Sequence, residues 1–492
     1  MLRSDEQQKQ YQCLCIALQA VNETCKQRND IKYSSGSNCG DAFLTDVQKL
    51  ECKFAQIVDI EKGGKYATAL VILNGARGPE ILFASNSRKA SELEIARSFL
   101  SELIEHVGRN PDKYAPKALQ KQVLSRILEF NFPRLEVYLN ELSNALEACI
   151  DSCENLQESE KSNVLAQLRA LRDRVQFPHN LTSSTGAKLK FFRNCEDLFK
   201  AIQKSQADEI DNIIDHQVAN NEPKISYHWS QLRHYLGRLH SFRQASEAII
   251  NASSRWPGLF KDITVSYISS SGLQKFTHSR ELLTAPMEII QHAFPKYDLS
   301  YYQSDIEDLR THGLYDQIKK QKQEFPSKTQ VHCEVNLHNH LVKIGKTRPC
   351  DFWNDAMFIA TSKPPCRLCY YYFQDGDNEY QVQPSHMNLY PKWQLPAVAD
   401  PTDGASTEKR DELMEDILDH MQVDTLKILQ KKLPQWKRND SRTDSRNWPG
   451  SARDGADSRT PVSGYHMYSQ PDNIDDDSYI DMGTESVGVA VS

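Results

Sequence analysis

No stretch of this 492-residue chain comes near the ~20 consecutive apolar residues that a membrane-spanning helix needs, although 39% of its residues are hydrophobic. A helical membrane protein is therefore not expected. The opening residues, MLRSDEQQKQYQCLCIALQAVNETC, carry neither a cationic start nor an uninterrupted apolar segment. No secretory signal is read there, and an intracellular setting, cytoplasmic or nuclear, is expected. Cysteine is sparse: twelve thiols spread over this length do not make a disulfide scaffold, and in a reducing compartment they are free thiols or metal ligands. Only Cys366 and Cys369 have metal-like spacing. A surplus of positive charge is also missing. The formal net charge of −7 argues against a dominant nucleic-acid footprint while leaving room for a local basic groove.

What is present reads as two or three structural units. Residues 1–46 form an N-terminal helical segment, and residues 47–90 a helix followed by a hairpin. In the hairpin the strand-like runs KYATALVIL and PEILFAS flank the turn-rich NGARG, and the second run ends just before Asn86. Residues 91–260 read as a helical bundle that opens on a Ser91/Glu94 capping box. Its helices include PRLEVYLNELSNALEACI, EKSNVLAQLRALRDRV, CEDLFKAIQKSQADEIDNIIDHQV and HWSQLRHYLGRLHSFRQASEAII. Residues 261–400 begin with a short strand in DITVSYISSSG and one helix over YQSDIEDLRTHGLYDQIKKQKQEF, after which helix and strand alternate. Residues 401–492 read as an isolated acidic amphipathic helix and a polar tail whose composition predicts disorder.

The chemistry concentrates in TQVHCEVNLHNHLVKIG, residues 329–345. His332-Cys333-Glu334 is the only His-x-Glu in the chain, where about one is expected by chance. Its weight comes from PPCRLC, which follows about thirty residues later and completes a His-x-Glu…Pro-Cys-x-x-Cys pattern. Cys366 and Cys369 lie three apart on a predicted helix, so both sulfurs can share one face and bind zinc, with one histidine nitrogen as third ligand. Pro365 suits the first position of that helix, with Thr361 or Ser362 capping it. His332 and Glu334, two apart, converge only at a helix tip, which places the start of their helix near Thr329. DAMFIATS and EYQVQPS read as the strands on either side of the cysteine helix.

Over residues 325–398 these motifs resemble the cytidine-deaminase-like zinc deaminase superfamily, and in particular a branch expanded in fungi to which HMNLYPKWQLP is also similar. The resemblance implies an α/β fold of the three-layer α/β/α kind. Residues 47–90 would supply its first helix and hairpin, residues 91–260 a large helical insertion, and residues 261–400 the zinc-binding core, ahead of the disordered C-terminal tail. It implies zinc on His332, Cys366 and Cys369, Glu334 moving protons, and Asn86 touching substrate. Cys333 departs from the family, where a small alanine is common. The implied reaction is hydrolytic deamination of a cytosine- or adenine-type base, free or within nucleic acid. The rival reading is an inactive scaffold with a structural zinc that binds a protein partner through the helical insertion or tail.

Several other clusters have plainer readings. A fourth protein ligand from Cys333, His338, His340 or His386 would close the metal to water. His338-x-His340 is similar to metalloproteases that cleave isopeptide bonds, but Arg348 stands where their serine belongs. His228, His234 and His240 share a helix without acids or cysteines and read as helix surface or bundle core. Tyr370–Phe373, Trp353 and Trp393 read as packing.

Overall fold

The continuous apolar runs of Thr68–Gly75 (β1) and Gly78–Ser85 (β2) send successive side chains to opposite faces, both of them buried. The two strands pair as an antiparallel hairpin from Thr68↔Ser85 to Gly75↔Gly78. The computed structural model describes residues 2–28, 44–153, 158–179, 184–207, 210–220, 223–275, 285–374, 379–398, 400 and 402–435. The tail expected to be disordered thus lies outside the described residues beyond 435, as does the end of the N-terminal segment at 29–43.

Two helices precede or flank the hairpin, α1 (Leu2–Arg28) and α2 (Asp46–Val58). The bundle follows as α3 (Ala90–Arg109), α4 (Pro116–Phe130), α5 (Phe132–Ser152), α6 (Glu158–Val175), α7 (Thr185–Ala207), α8 (Ile210–Asn220), α9 (Pro223–Arg255) and α10 (Pro257–Lys261). The chain then forms β3 (Thr264–Tyr267), β4 (Gln274–Lys275), α11 (Pro286–Ala293), α12 (Gln303–Thr311), α13 (Leu314–Glu324) and β5 (Lys328–Thr329). It ends with α14 (Cys333–Lys343), β6 (Phe358–Thr361), α15 (Arg367–Phe373), β7 (Gln381–Val382) and α16 (Gly404–Lys431). The main sheet is mixed, in the order β3-β2-β1-β6-β7: β1 is antiparallel to β2 and β6, and the pairs β2/β3 and β6/β7 are parallel. β4 and β5 form a separate antiparallel ribbon.

The hairpin's alternation builds two cores. Leu70, Ile72, Ile81 and Phe83 pack against α2 and the bundle, whereas Ala69, Val71, Leu73, Leu82 and Ala84 face α1, α14, α15 and α16. The result is the expected α/β/α layering, with the bundle attached to the α2 face. Gly108 lets α3 and α10 touch, since a Cβ there would stand 2.3 Å from the Phe260 carbonyl oxygen.

Three local expectations are corrected. The helix read over residues 302–325 breaks at Gly313, whose φ of +93° ends α12 and starts α13. The cap of α3 lies two residues upstream of Ser91/Glu94: the Lys89 amide donates to Glu92 Oε2 at 2.7 Å, while Glu94 accepts from Arg97 Nε at 2.9 Å. Nor is α16 isolated. It buries Met414, Ile417, Leu418, Met421, Leu426 and Leu429 against α1, α12 and α15, and Gln422 Nε2 donates to the Ala293 carbonyl at 3.1 Å. Among the described residues no helix is long and apolar enough to cross a membrane.

One buried ion pair ties the bundle to the sheet. Asp59, just past α2, lies 3.2 Å from Arg134 of α5, both fully buried. Asp59 Oδ2 also accepts from Ser362 Oγ at 2.9 Å, four residues before Cys366. Arg134→Met strands a buried carboxylate and is expected to lower stability by about 3–5 kcal/mol. Denaturant unfolding of wild type and variant checks it; a loss under 1 kcal/mol would show that Asp59 finds solvent or protonates.

Candidate metal centre

His332 and Glu334 meet because the helix begins later than the sequence predicts. Thr329 belongs to the β5 ribbon, and His332, with extended backbone (φ −68°, ψ 153°), is the residue that caps α14. This is a correction to a start near Thr329. It places Glu334 in the first turn, where the helix dipole favours a carboxylate. The cap residue itself makes no side-chain cap, which leaves its imidazole for the site. Asn86, at the end of β2, supplies the missing acceptor: its Oδ1 takes the Cys333 amide hydrogen at 2.7 Å, and its Nδ2 donates to the Gly64 carbonyl at 2.9 Å. The resemblance assigned Asn86 to substrate; in the structure its carbonyl end holds the tip of the His-x-Glu helix.

The second half of the site has the same design. Cys366 caps α15 with extended backbone (φ −75°, ψ 171°), so Pro365 stands before the cap rather than in the first turn. Thr361 and Ser362 do not cap this helix: Thr361 Oγ1 donates to the Lys363 carbonyl and Ser362 to Asp59. Behind it, the Arg367 amide donates to the Asn388 carbonyl at 3.0 Å, and Ser385 Oγ to the Pro365 carbonyl at 2.8 Å. The HMN segment thus braces the cysteine loop, a role that its sequence does not reveal.

His332, Cys366 and Cys369 converge in the interior, each under a tenth exposed. Nδ1 of His332 lies 3.6 Å from Cys366 Sγ and 3.4 Å from Cys369 Sγ, and the two sulfurs are 3.6 Å apart. Zinc with bonds of ~2.3 Å to sulfur and ~2.0 Å to nitrogen at tetrahedral angles needs donors about 3.5–3.8 Å apart. The triangle matches that spacing to within about 0.2 Å, and its donor set suits a soft, borderline cation. These three residues can therefore hold a metal ion.

Electrostatics favour the ligand form of one donor, Cys366, in the absence of a cation. Burial pushes the Cys366 thiol up, but a hydrogen bond from Cys369 and the neighbouring His332 bring it down to about 5. Cys369 is raised by burial and by the adjacent Cys366 thiolate. Burial opposes the charge on His332, yet the Cys366 thiolate more than offsets it and raises the imidazole. The pocket thus holds one thiolate readily and a second only with a cation present. Glu334, 5% exposed, accepts from Cys333 Sγ at 3.3 Å. It stands beside the ligand triangle without belonging to it.

The other histidines lie elsewhere. His338 Nδ1 is 2.7 Å from Tyr372 Oη, its ring stands edge-on to Tyr380, and burial pushes its pKa down to about 4. His386 Nδ1 accepts the Asn388 amide hydrogen at 3.0 Å. Tyr371, Tyr372 and Phe373 are buried in the core. So are His234 and His240 of α9. Sequence reading missed Arg88, a buried guanidinium 4.8 Å from the Tyr66 ring centroid and close enough to interact with the Cys333 thiol. Two residues past Asn86, it reads as an ordinary loop cation. Missed as well was the loop around Gly63 and Gly64, held over the site by Lys363 Nζ on the Gly63 carbonyl and by Asn86 on that of Gly64.

Asn86→Ala removes the acceptor from the buried Cys333 amide, which is expected to cost about 1–3 kcal/mol. Because the same bond orients His332, zinc affinity is expected to fall about 10–100-fold. Competition with a zinc chelator measures it; unchanged affinity would show that the helix tip holds its place without Asn86.

No curated protein and no solved structure matches the chain. Residues 331–397, which carry His332, Glu334, both cysteines and the bracing HMN segment, match the family model described as OTT_1508-like deaminase, so this part of the chain is similar to a deaminase-like domain.

Proposed function

We propose that the protein is a zinc-dependent hydrolytic deaminase acting on a cytosine- or adenine-type base, as nucleoside, nucleotide or nucleic acid, inside the cell. The observation that carries this reading is the His332–Cys366–Cys369 triangle with one uncoordinated carboxylate, Glu334, beside it. Three protein ligands leave a fourth tetrahedral position, as catalytic rather than structural zinc sites do. Zinc, when bound, supplies the Lewis acidity that makes hydroxide available from water near neutral pH.

The chain's own residues do the rest. Glu334 takes the proton released from water and delivers it to the ring nitrogen next to the attacked carbon, C4 of cytosine or C6 of adenine. It then passes a second proton to the exocyclic amine, which leaves as ammonia while the carbon becomes a carbonyl. Water is consumed and no redox partner is needed. Asn86 keeps the His332 and Glu334 backbone in place, and its remaining amide hydrogen is available to a substrate oxygen. Burial of the site strengthens each of these polar contacts.

The same burial favours a second reading, a closed structural zinc on a scaffold that binds a partner protein through its bundle. X-ray absorption at the zinc edge separates the two. Two sulfurs at ~2.3 Å with two lighter donors at ~2.0 Å are expected for the catalytic site. A third sulfur, from Cys333, would support closure and count against deamination.

A further inference from the structure

Lined by none of the three metal-site donors, a cavity of about 170 Å³ lies between α1, the β4/β5 ribbon, residues 393–397 and α16. Two buried polar atoms on residues of its wall have no hydrogen-bond partner among the described residues: the indole N–H of Trp393, 1% exposed, and Oε1 of Gln7, 7% exposed. A buried donor or acceptor left unmatched costs about 1–3 kcal/mol, which a ligand that meets both atoms would recover. Gln7 is otherwise well anchored, since its Nε2 donates to the Asp411 carbonyl at 2.8 Å. Tyr11 adds an aromatic face, its ring 6.5 Å from that of Trp393. Lys275 and Arg410 supply positive charge, and Arg410 also lies 3.4 Å from Asp411. Four glutamines line the cavity and no carboxylate does, among the described residues.

We infer that this cavity is a second ligand site, for a small anion with a planar hydrogen-bonding head, the chemistry of a nucleoside monophosphate. The head group's acceptor meets the Trp393 N–H and its donor meets Gln7 Oε1. The aromatic walls cover its faces, and the anionic group sits at the open side with Lys275 and Arg410. The volume is below the ~300 Å³ at which drug-sized pockets begin, which fits the head group enclosed and the anion at the mouth. The site contains none of the proposed zinc ligands but adjoins them: Tyr11 of its wall is close enough to Cys366 and Cys369 to feel their charge, and the ribbon leads to His332. Backbone bonds join Gln330 to Lys392 and Gln394 on either side of Trp393, two residues before His332.

The test is calorimetric titration of adenosine 5′-monophosphate into the full-length Glu334→Ala protein, so that turnover does not obscure binding. One saturable event is expected, weakened at least tenfold by Trp393→Phe, which keeps a ring but removes the N–H. Lys275→Ala, a change at an exposed residue, is expected to weaken it similarly without disturbing the core. Adenine and inorganic phosphate, each with half of the chemistry, are expected to bind at least tenfold more weakly than the monophosphate. No binding of the monophosphate at millimolar concentration, equal affinity in all three proteins, or phosphate binding as tightly as the monophosphate would each overturn the inference. Binding at the metal centre instead would survive Trp393→Phe and Lys275→Ala and fall in Cys369→Ala, so failure of this inference and failure of the deaminase reading are distinguishable.

Discussion

Replacing Glu334 by alanine is expected to leave zinc bound at one ion per chain and to lower ammonia release by about 10²–10⁴-fold, the usual worth of a positioned general acid–base group. The separation of the two effects follows from geometry. Glu334 lies next to the metal triangle but outside it, and its carboxylate bonds to Cys333 rather than to the backbone of a cap. Glu334→Gln keeps the volume and one acceptor but cannot move a proton, and the same loss of rate is expected. Zinc content by elemental analysis and ammonia by coupled assay give the two readouts. A variant that retains more than a tenth of the wild-type rate would remove Glu334 from the mechanism.

Cys369→Ala acts on the opposite term. Its sulfur is fully buried and stands 3.4 Å from His332 Nδ1 and 3.6 Å from Cys366 Sγ. With one ligand gone the remaining pair is expected to lose stoichiometric zinc. The loss extends to stability, because an ion that binds only the folded state stabilises it by about 4 kcal/mol when its free concentration is ~1,000 times Kd. Thermal unfolding with and without chelator reads this directly. Chelator should lower the wild-type midpoint to that of the Cys369→Ala protein and leave the variant unmoved. A chelator effect of equal size in both would mean that the metal is held elsewhere.

Much of the site was legible because its residues are rare in combination. A single His-x-Glu and a single Pro-Cys-x-x-Cys, with a strand between them, pick out the three donors that the fold brings together, able to hold a metal ion, and the carboxylate beside them. The hairpin was legible from two strand-like apolar runs flanking the turn-rich NGARG, and the bundle from helical periodicity. Helix starts were not, because neither His332 nor Cys366 is a favoured capping residue; each holds its end of a helix while its side chain serves the site. Contacts across long sequence distances were also hidden. Nothing local to Asp59 or Arg134 announces that they pair, and nothing in the α16 sequence says which surface its apolar stripe will meet. Gly313 carried a signal that the helical periodicity around it obscured.

The bundle's place has a mechanical consequence. Asp59 receives Arg134 from one side and Ser362 from the other, so the helical insertion is linked through Asp59 to the loop that delivers Cys366. Changes in the bundle can therefore reach the metal centre through two contacts, which gives a partner bound to the bundle a physical route to the site.

Ammonia release by the zinc-loaded full-length protein, measured over cytosine- and adenine-containing nucleosides, nucleotides and single-stranded nucleic acids, is the most direct test of the proposed activity. The expected result is ammonia from at least one of these substrates, matched mole for mole by loss of its exocyclic amine and abolished in Glu334→Ala. A wild-type protein with one zinc per chain that releases none from any of them would contradict the deaminase reading and leave the metal a structural role.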